Sequence, residues 1–111
     1  MDKSEQILTL TKPFVDQGKI LLRSKVEIKK NINDFILLFD NNQLVACAGL
    51  KDCQEGSMGE IYSLAVAKNS QNLGLSIQLL DKILMEAKRQ KFSKVFALTK
   101  YETDWFLKHH F

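Results

Sequence analysis

The residues best suited to chemistry in this 111-residue chain lie between Glu60 and Ser76. Glu60-Ile61-Tyr62-Ser63-Leu64-Ala65-Val66 is a β-rich run, and a polar loop with a single glycine, Gly74, follows it. An amphipathic helix opens just after that glycine. Leu75, Leu79, Leu80, Ile83, Leu84 and Ala87 recur at helical spacing, with Gln78, Asp81, Lys82, Glu86 and Arg89 on the opposite face. A strand–loop–helix unit of this kind suits phosphate binding. The first turn of a helix carries backbone N–H groups with no partner inside the helix, and its dipole adds partial positive charge, so a pyrophosphate brought there gains several hydrogen bonds at once. Gln71-Asn72-Leu73-Gly74-Leu75-Ser76 is the candidate cradle. The alternative is an ordinary polar loop with Ser76 as a helix cap.

Other chemistries find less support. Cys47 lies inside an apolar run and Cys53 in a polar loop, so two free thiols are expected rather than a disulfide. The only histidines, His109 and His110, are adjacent and terminal, so no metal site is expected. The net charge of +3 is dispersed. That suits a polyanionic small ligand and lacks the clustered basic face that nucleic acid requires. No apolar run approaches the ~20 residues needed to cross a bilayer, and Met1-Asp2-Lys3-Ser4-Glu5-Gln6 does not resemble a signal peptide. A cytoplasmic protein with no membrane partner is expected. A hydrophobic content of 45% and a charged content of 26% fit one globular domain over residues 1–111.

The elements that must position these residues follow in order. Ile7, Leu8, Leu10, Phe14 and Val15 predict a helix from about Ser4 to Gln17, closed by Gly18, with Pro13 either ending it near Lys12 or restarting it. Ser24 and Glu27 match a capping box and open a second, short helix carrying Ile28 and Ile32. Phe35 to Phe39 and Leu44 to Leu50 predict two buried strands joined by a tight Asp-Asn turn. With Glu60 to Val66 they make three antiparallel strands, and Lys94 to Thr99 is a fourth, parallel to its predecessor across the helix. Residues 104–111 predict a short amphipathic helix.

Three antiparallel strands, the Gln71-x-x-Gly74-x-Ser76 loop and the helix after it resemble the GNAT superfamily of acetyl-CoA-dependent N-acetyltransferases. Within it the chain is similar to the acetyltransferase domain of amino-acid N-acetyltransferases of the N-acetylglutamate synthase type. The resemblance runs through Gln17 to Ser24, Gly59 to Val66, Lys94 to Thr99 and Trp105-Phe106. It implies an α/β fold with a GNAT-like mixed sheet, antiparallel strands followed by a parallel crossover and flanked by helices. It also implies truncation at both ends, without the family's first strand or the pair of strands after Phe111. Unpaired edges of that kind would allow a homodimer.

The resemblance further implies an acetyl group carried from acetyl-CoA to the amine of a small amino acid, glutamate being the candidate, by direct attack and without a metal. Leu64, Ala65 and Val66 would offer backbone groups to the pantetheine arm and the thioester carbonyl. Gln71, Asn72, Leu73, Gly74, Leu75 and Ser76 would hold the pyrophosphate, and Arg23 would clamp the acceptor's carboxylate, a task suited to a planar guanidinium. Lys100 stands where longer family members carry an arginine for the acceptor. Direct transfer needs a general base and an acid for the departing thiolate. Glu60 is the candidate base and Tyr101 the candidate acid, with Tyr62 a weaker alternative on the same side of the strand as Glu60. Cys47 as an acyl-carrying nucleophile has no nearby histidine to activate it. The alternative function is a non-catalytic acyl-CoA-binding or regulatory module.

Overall fold

A computed structural model describes residues 2–53, 57–69, 74–97 and 105–108. Helix α1 spans Lys3–Asp16 and is opened by Asp2, whose carboxylate accepts from the Glu5 backbone N–H at 2.9 Å. The helix runs unbroken through Pro13, so the predicted break does not occur. Pro13 and the residue one turn before it, Thr9, are both exposed, on the face where a missing backbone bond costs least. Gly18, at φ +74°, closes α1, with Gly18 N–H donating to Val15 O and Lys19 N–H to Phe14 O, each at 2.9 Å. These two bonds form a Schellman cap. They turn the chain sharply into residues 18–24.

Helix α2, Lys25–Lys30, carries the expected capping box between Ser24 and Glu27. Lys25 also ties it to α1 through Glu5 at 2.7 Å. A single 3-10 turn, Ile32–Asp34, leads into the sheet. Strands β1 (Phe35–Asp40) and β2 (Gln43–Asp52) form a hairpin in which Asp40 pairs with Gln43. Asn41 and Asn42 both take positive φ, +51° and +66°, the two-residue turn whose twist matches that of the flanking strands.

Strand β3 (Met58–Val66) lies antiparallel to β2, and helix α3 (Leu75–Arg89) crosses to β4 (Lys94–Ala97), which runs parallel to β3. The last described segment corrects the expectation of a helix over residues 104–111. Trp105–Lys108 is a strand, β5, antiparallel to β4 from Lys94↔Lys108 to Ala97↔Trp105. A short apolar run does not separate helix from strand by periodicity, and the open backbone edge of β4 decides in favour of pairing. Among the described residues the sheet therefore has five strands in the order β1-β2-β3-β4-β5, one more than expected.

Each face of the sheet has its own core. Leu38, Leu50, Ile61 and Val95 pack against Leu79 and Ile83 of α3. On the other face Cys47, Leu44 and Ala65 pack against Ile7 of α1 and Ile28 of α2. One irregularity in β3 shapes everything that follows. The ladder pairs Gly49 with Tyr62 but Cys47 with Ala65, so Ala48 faces both Ser63 and Leu64, and Ser63 takes φ +51°. This is a β-bulge, which resets the alternation of faces. Ile61 and Val66 thus share the α3 core while Ala65 reaches the α1 side.

Candidate functional site

The bulge lies just beyond the described register of the two parallel strands. β3 pairs with β4 from Met58↔Lys94 to Ile61↔Ala97, and β3 itself continues to Val66. A cleft of about 730 Å³ opens at that point. Its floor is Glu60 to Leu64 of β3, Ala97 at the end of β4 contributes one side, and the chain from Gly18 to Arg23 after α1 forms the opposite wall. A smaller cavity of about 210 Å³ adjoins it beneath α1 and shares Val15, Leu21, Leu22, Arg23 and Ser63 with it. The wall is notably apolar at its lip, where Leu21 and Leu22 are 77% and 78% exposed.

The structure brings three of the expected site residues together, Arg23, Glu60 and Leu64. Glu60 and Arg23 both line the cleft. The Glu60 carboxylate lies 3.9 Å from Lys51 Nζ, its ion-pair partner from β2. The Arg23 guanidinium stacks 4.6 Å from the centre of the Tyr62 ring, and its Nε is buried without a hydrogen-bond partner. Of the cofactor residues on the strand, Leu64 is 47% exposed and faces the cleft. The side chains of Ala65 and Val66 are buried in the two cores, so only their backbone is available to a ligand. Gly74, at φ +70°, is the residue that opens α3, with no side-chain cap. The cap is therefore not Ser76, which sits exposed in the first turn, while Leu75 is buried against the sheet. Gln71, Asn72, Leu73, Lys100 and Tyr101 lie outside the described residues.

Tyr62 is more firmly held than its sequence context suggests. Its hydroxyl donates to Asp34 Oδ2 at 2.7 Å, and Phe35 meets its ring edge-on at 5.4 Å. Lys51 Nζ lies 5.4 Å from the ring centre. Burial first, and then the bond to Asp34, push the phenol well above the ordinary tyrosine range. Its hydroxyl proton is thus directed at Asp34, and its ring lines the cleft. Cys47 is equally quiet. Burial pushes its thiol up to about 12, and its S–H reaches the Ser63 carbonyl at 3.4 Å. A thiol in that state supplies no thiolate for acyl transfer.

Sequence reasoning missed Asp34, Phe35, Gly49 and Lys51 as the frame of the site, together with the apolar wall. Gly49 carried a usable signal, since a glycine inside a buried strand marks a close approach. A Cβ there would fall 2.6 Å and 2.7 Å from the two Cε atoms of Tyr62 and closer still to its Cζ.

Fold and site together define a mixed-sheet α/β domain with a cleft over its bulged central strand, bounded by the described end of β4. The chain belongs to the acetyltransferase (GNAT) family, whose sequence profile matches residues 5–109. It is 34% identical over 105 residues to the amino-acid acetyltransferase of a Neisseria meningitidis serogroup A strain, covering 95% of this chain and 24% of that protein. The N-acetylglutamate synthase of Neisseria gonorrhoeae, solved in complex with coenzyme A and N-acetyl-glutamate, superposes with a TM-score of 0.83 at 33% identity, covering 89% of this chain and 24% of that one. A GNAT-family acetyltransferase of Staphylococcus aureus shares the fold with a TM-score of 0.71 at 21% identity, over 87% of this chain and 69% of that one. This chain spans about a quarter of the length of the curated relatives it matches.

Proposed function

We propose that the protein is an acetyl-CoA-dependent N-acetyltransferase acting on the amine of a small amino acid, with glutamate the first acceptor to test. The observation that carries the reading is the meeting of Arg23 and Glu60 in one cleft over β3. Family membership and the likeness to a synthase solved with coenzyme A and N-acetyl-glutamate support it.

Each residue has a distinct task. Arg23 holds the acceptor's carboxylate as a charge-assisted pair. Glu60 takes a proton from the acceptor's ammonium group, directly or through water, and the freed amine attacks the thioester carbonyl. The bulge at Ser63 and Leu64 frees backbone groups from the β2–β3 ladder, where they are available to the developing oxyanion. Leu64, Ala65 and Val66 offer further backbone to the pantetheine arm, and residues Gln71 to Ser76 take the pyrophosphate at the start of α3. Tyr101 returns a proton to the departing thiolate, and Lys100 adds a second cation for the acceptor.

The test is release of free coenzyme A from acetyl-CoA with each amino acid in turn. Turnover that depends on the amino acid supports the reading, and none across the panel refutes it. Glu60→Gln is expected to lower kcat by about 10²–10⁴-fold and to flatten the acidic limb of the pH profile. Ligand-induced stabilisation separates the binding-module reading from catalysis. Coenzyme A at ~100 times its Kd raises stability by about 2.7 kcal/mol if it binds only the folded state. That rise without turnover marks a module that binds and does not transfer.

A further inference from the structure

Five independent contacts converge on the ring of Tyr62, more than packing at the margin of a cleft requires. One face of the ring rests on β2 at Gly49, the residue at which any side chain would collide with it. Phe35 closes an edge and Asp34 anchors the hydroxyl. Arg23 and Lys51 place their charges over the ring. The elements supplying these groups are β1, β2, the turn before β1 and the wall of the cleft, so the ring is held by four separate parts of the chain.

Arg23 gains most from this. It arrives from residues 18–24, a connection between two helices, which by itself would leave a long side chain free to sample many rotamers. Among the described residues no carboxylate pairs with it, and its Nε is buried without an acceptor. A guanidinium in that condition is held by the ring face, whose electron density compensates the cation in part. Among the described residues its terminal nitrogens meet no hydrogen-bond acceptor.

We propose that Tyr62 is a positioning residue that sets the Arg23 guanidinium for the carboxylate of an amino-acid acceptor, with Asp34 and Gly49 fixing the ring. This rests on the N-acetyltransferase reading given above. The plate holds the cation without neutralising it, as a carboxylate in the same place would. The acceptor's own carboxylate then completes the pair.

Two measurements test this on the full chain. In steady-state acetylation of the best acceptor, Tyr62→Leu is expected to raise the acceptor's KM about tenfold while kcat falls less than threefold, the loss of one cation–π contact. Tyr62→Phe keeps the plate and is expected to restore KM to within about threefold of the wild type. An unchanged acceptor KM in Tyr62→Leu, or a loss confined to kcat, overturns the proposal. The second measurement is the Arg23 Nε–H signal in nitrogen-15 NMR, assigned with Arg23→Lys and titrated with L-glutamate. The signal is expected to shift on titration in the wild type and Tyr62→Phe and to stay still in Tyr62→Leu. If the wild type shows this pattern but no turnover, the enzymatic reading falls and the positioning role stands. A shift of equal size and midpoint in Tyr62→Leu, or none in the wild type, overturns the role. Thermal unfolding of each variant confirms that a folded protein is being titrated.

Discussion

Replacing Gly49 by alanine isolates the contact on which the cleft floor depends. Gly49 is not among the positive-φ residues, so alanine fits the backbone, and on that ground alone the change would stabilise the protein by about 0.4–1 kcal/mol through the unfolded chain. The added methyl, however, falls 2.6–2.7 Å from the ring carbons of Tyr62, well inside van der Waals contact. A free tyrosine would swing aside. This one is tethered to Asp34 at 2.7 Å and braced by Phe35, so the ring must give up those contacts or β2 must move. Overpacking of this kind costs about 1–3 kcal/mol, and the lost hydrogen bond about 0.5–1.5 more. The balance is a net destabilisation of about 0.5–4 kcal/mol. Urea unfolding of Gly49→Ala, Tyr62→Ala and the double variant reads it directly. In the Tyr62→Ala background the new methyl meets no ring, and its cost should vanish or reverse. A coupling energy below about 0.5 kcal/mol across that cycle would refute the reasoning.

The remaining predictions concern a buried thiol and a helix end. Cys47 is an acid whose folded value, about 12, lies above its ordinary 9.0, so the stability it contributes is complete below pH 9 and is lost as pH rises towards 12. Unfolding free energy should fall in that window by up to about 1.4 kcal/mol per pH unit, and Cys47→Ala should remove that slope. Tyr62 adds loss of the same sign above pH 10. A thiol reagent should accordingly label Cys47 only after unfolding. At the end of α3, Lys91 takes φ +64° so that Phe92 N–H can reach Ala87 O at 2.9 Å. Lys91→Gly relieves a left-handed lysine and should raise the urea midpoint, by about 0.5–1 kcal/mol in stability.

Local rules carried much of the fold. The capping box at Ser24, the Asn41-Asn42 turn and the left-handed stop at Gly18 are chemistry within a few residues, and each was legible for that reason. The helix after Gly74 was legible because its apolar spacing admits one period only. Two elements were not. Pro13 is a helix breaker whose effect depends on whether the carbonyl it leaves is buried or exposed, and burial is a tertiary property. Trp105 to Lys108 became a strand because β4 offered an open edge, which no local pattern records.

Of the site, the sequence by itself determined which residues were chemically suitable: Glu60 on a strand, Arg23 before a capped helix, and a glycine-ended loop opening α3. Periodicity and residue type are enough for that, since both act over a turn or a strand. Only the tertiary structure decided which of them meet. The bulge at Ser63, which pairs two residues of β3 against Ala48, reset the faces of the strand. The close seat at Gly49 brought Tyr62 beneath Arg23 from a distant part of the chain. Strand register and side-chain collision are relations between segments far apart in sequence, and they take a value only once the sheet has formed.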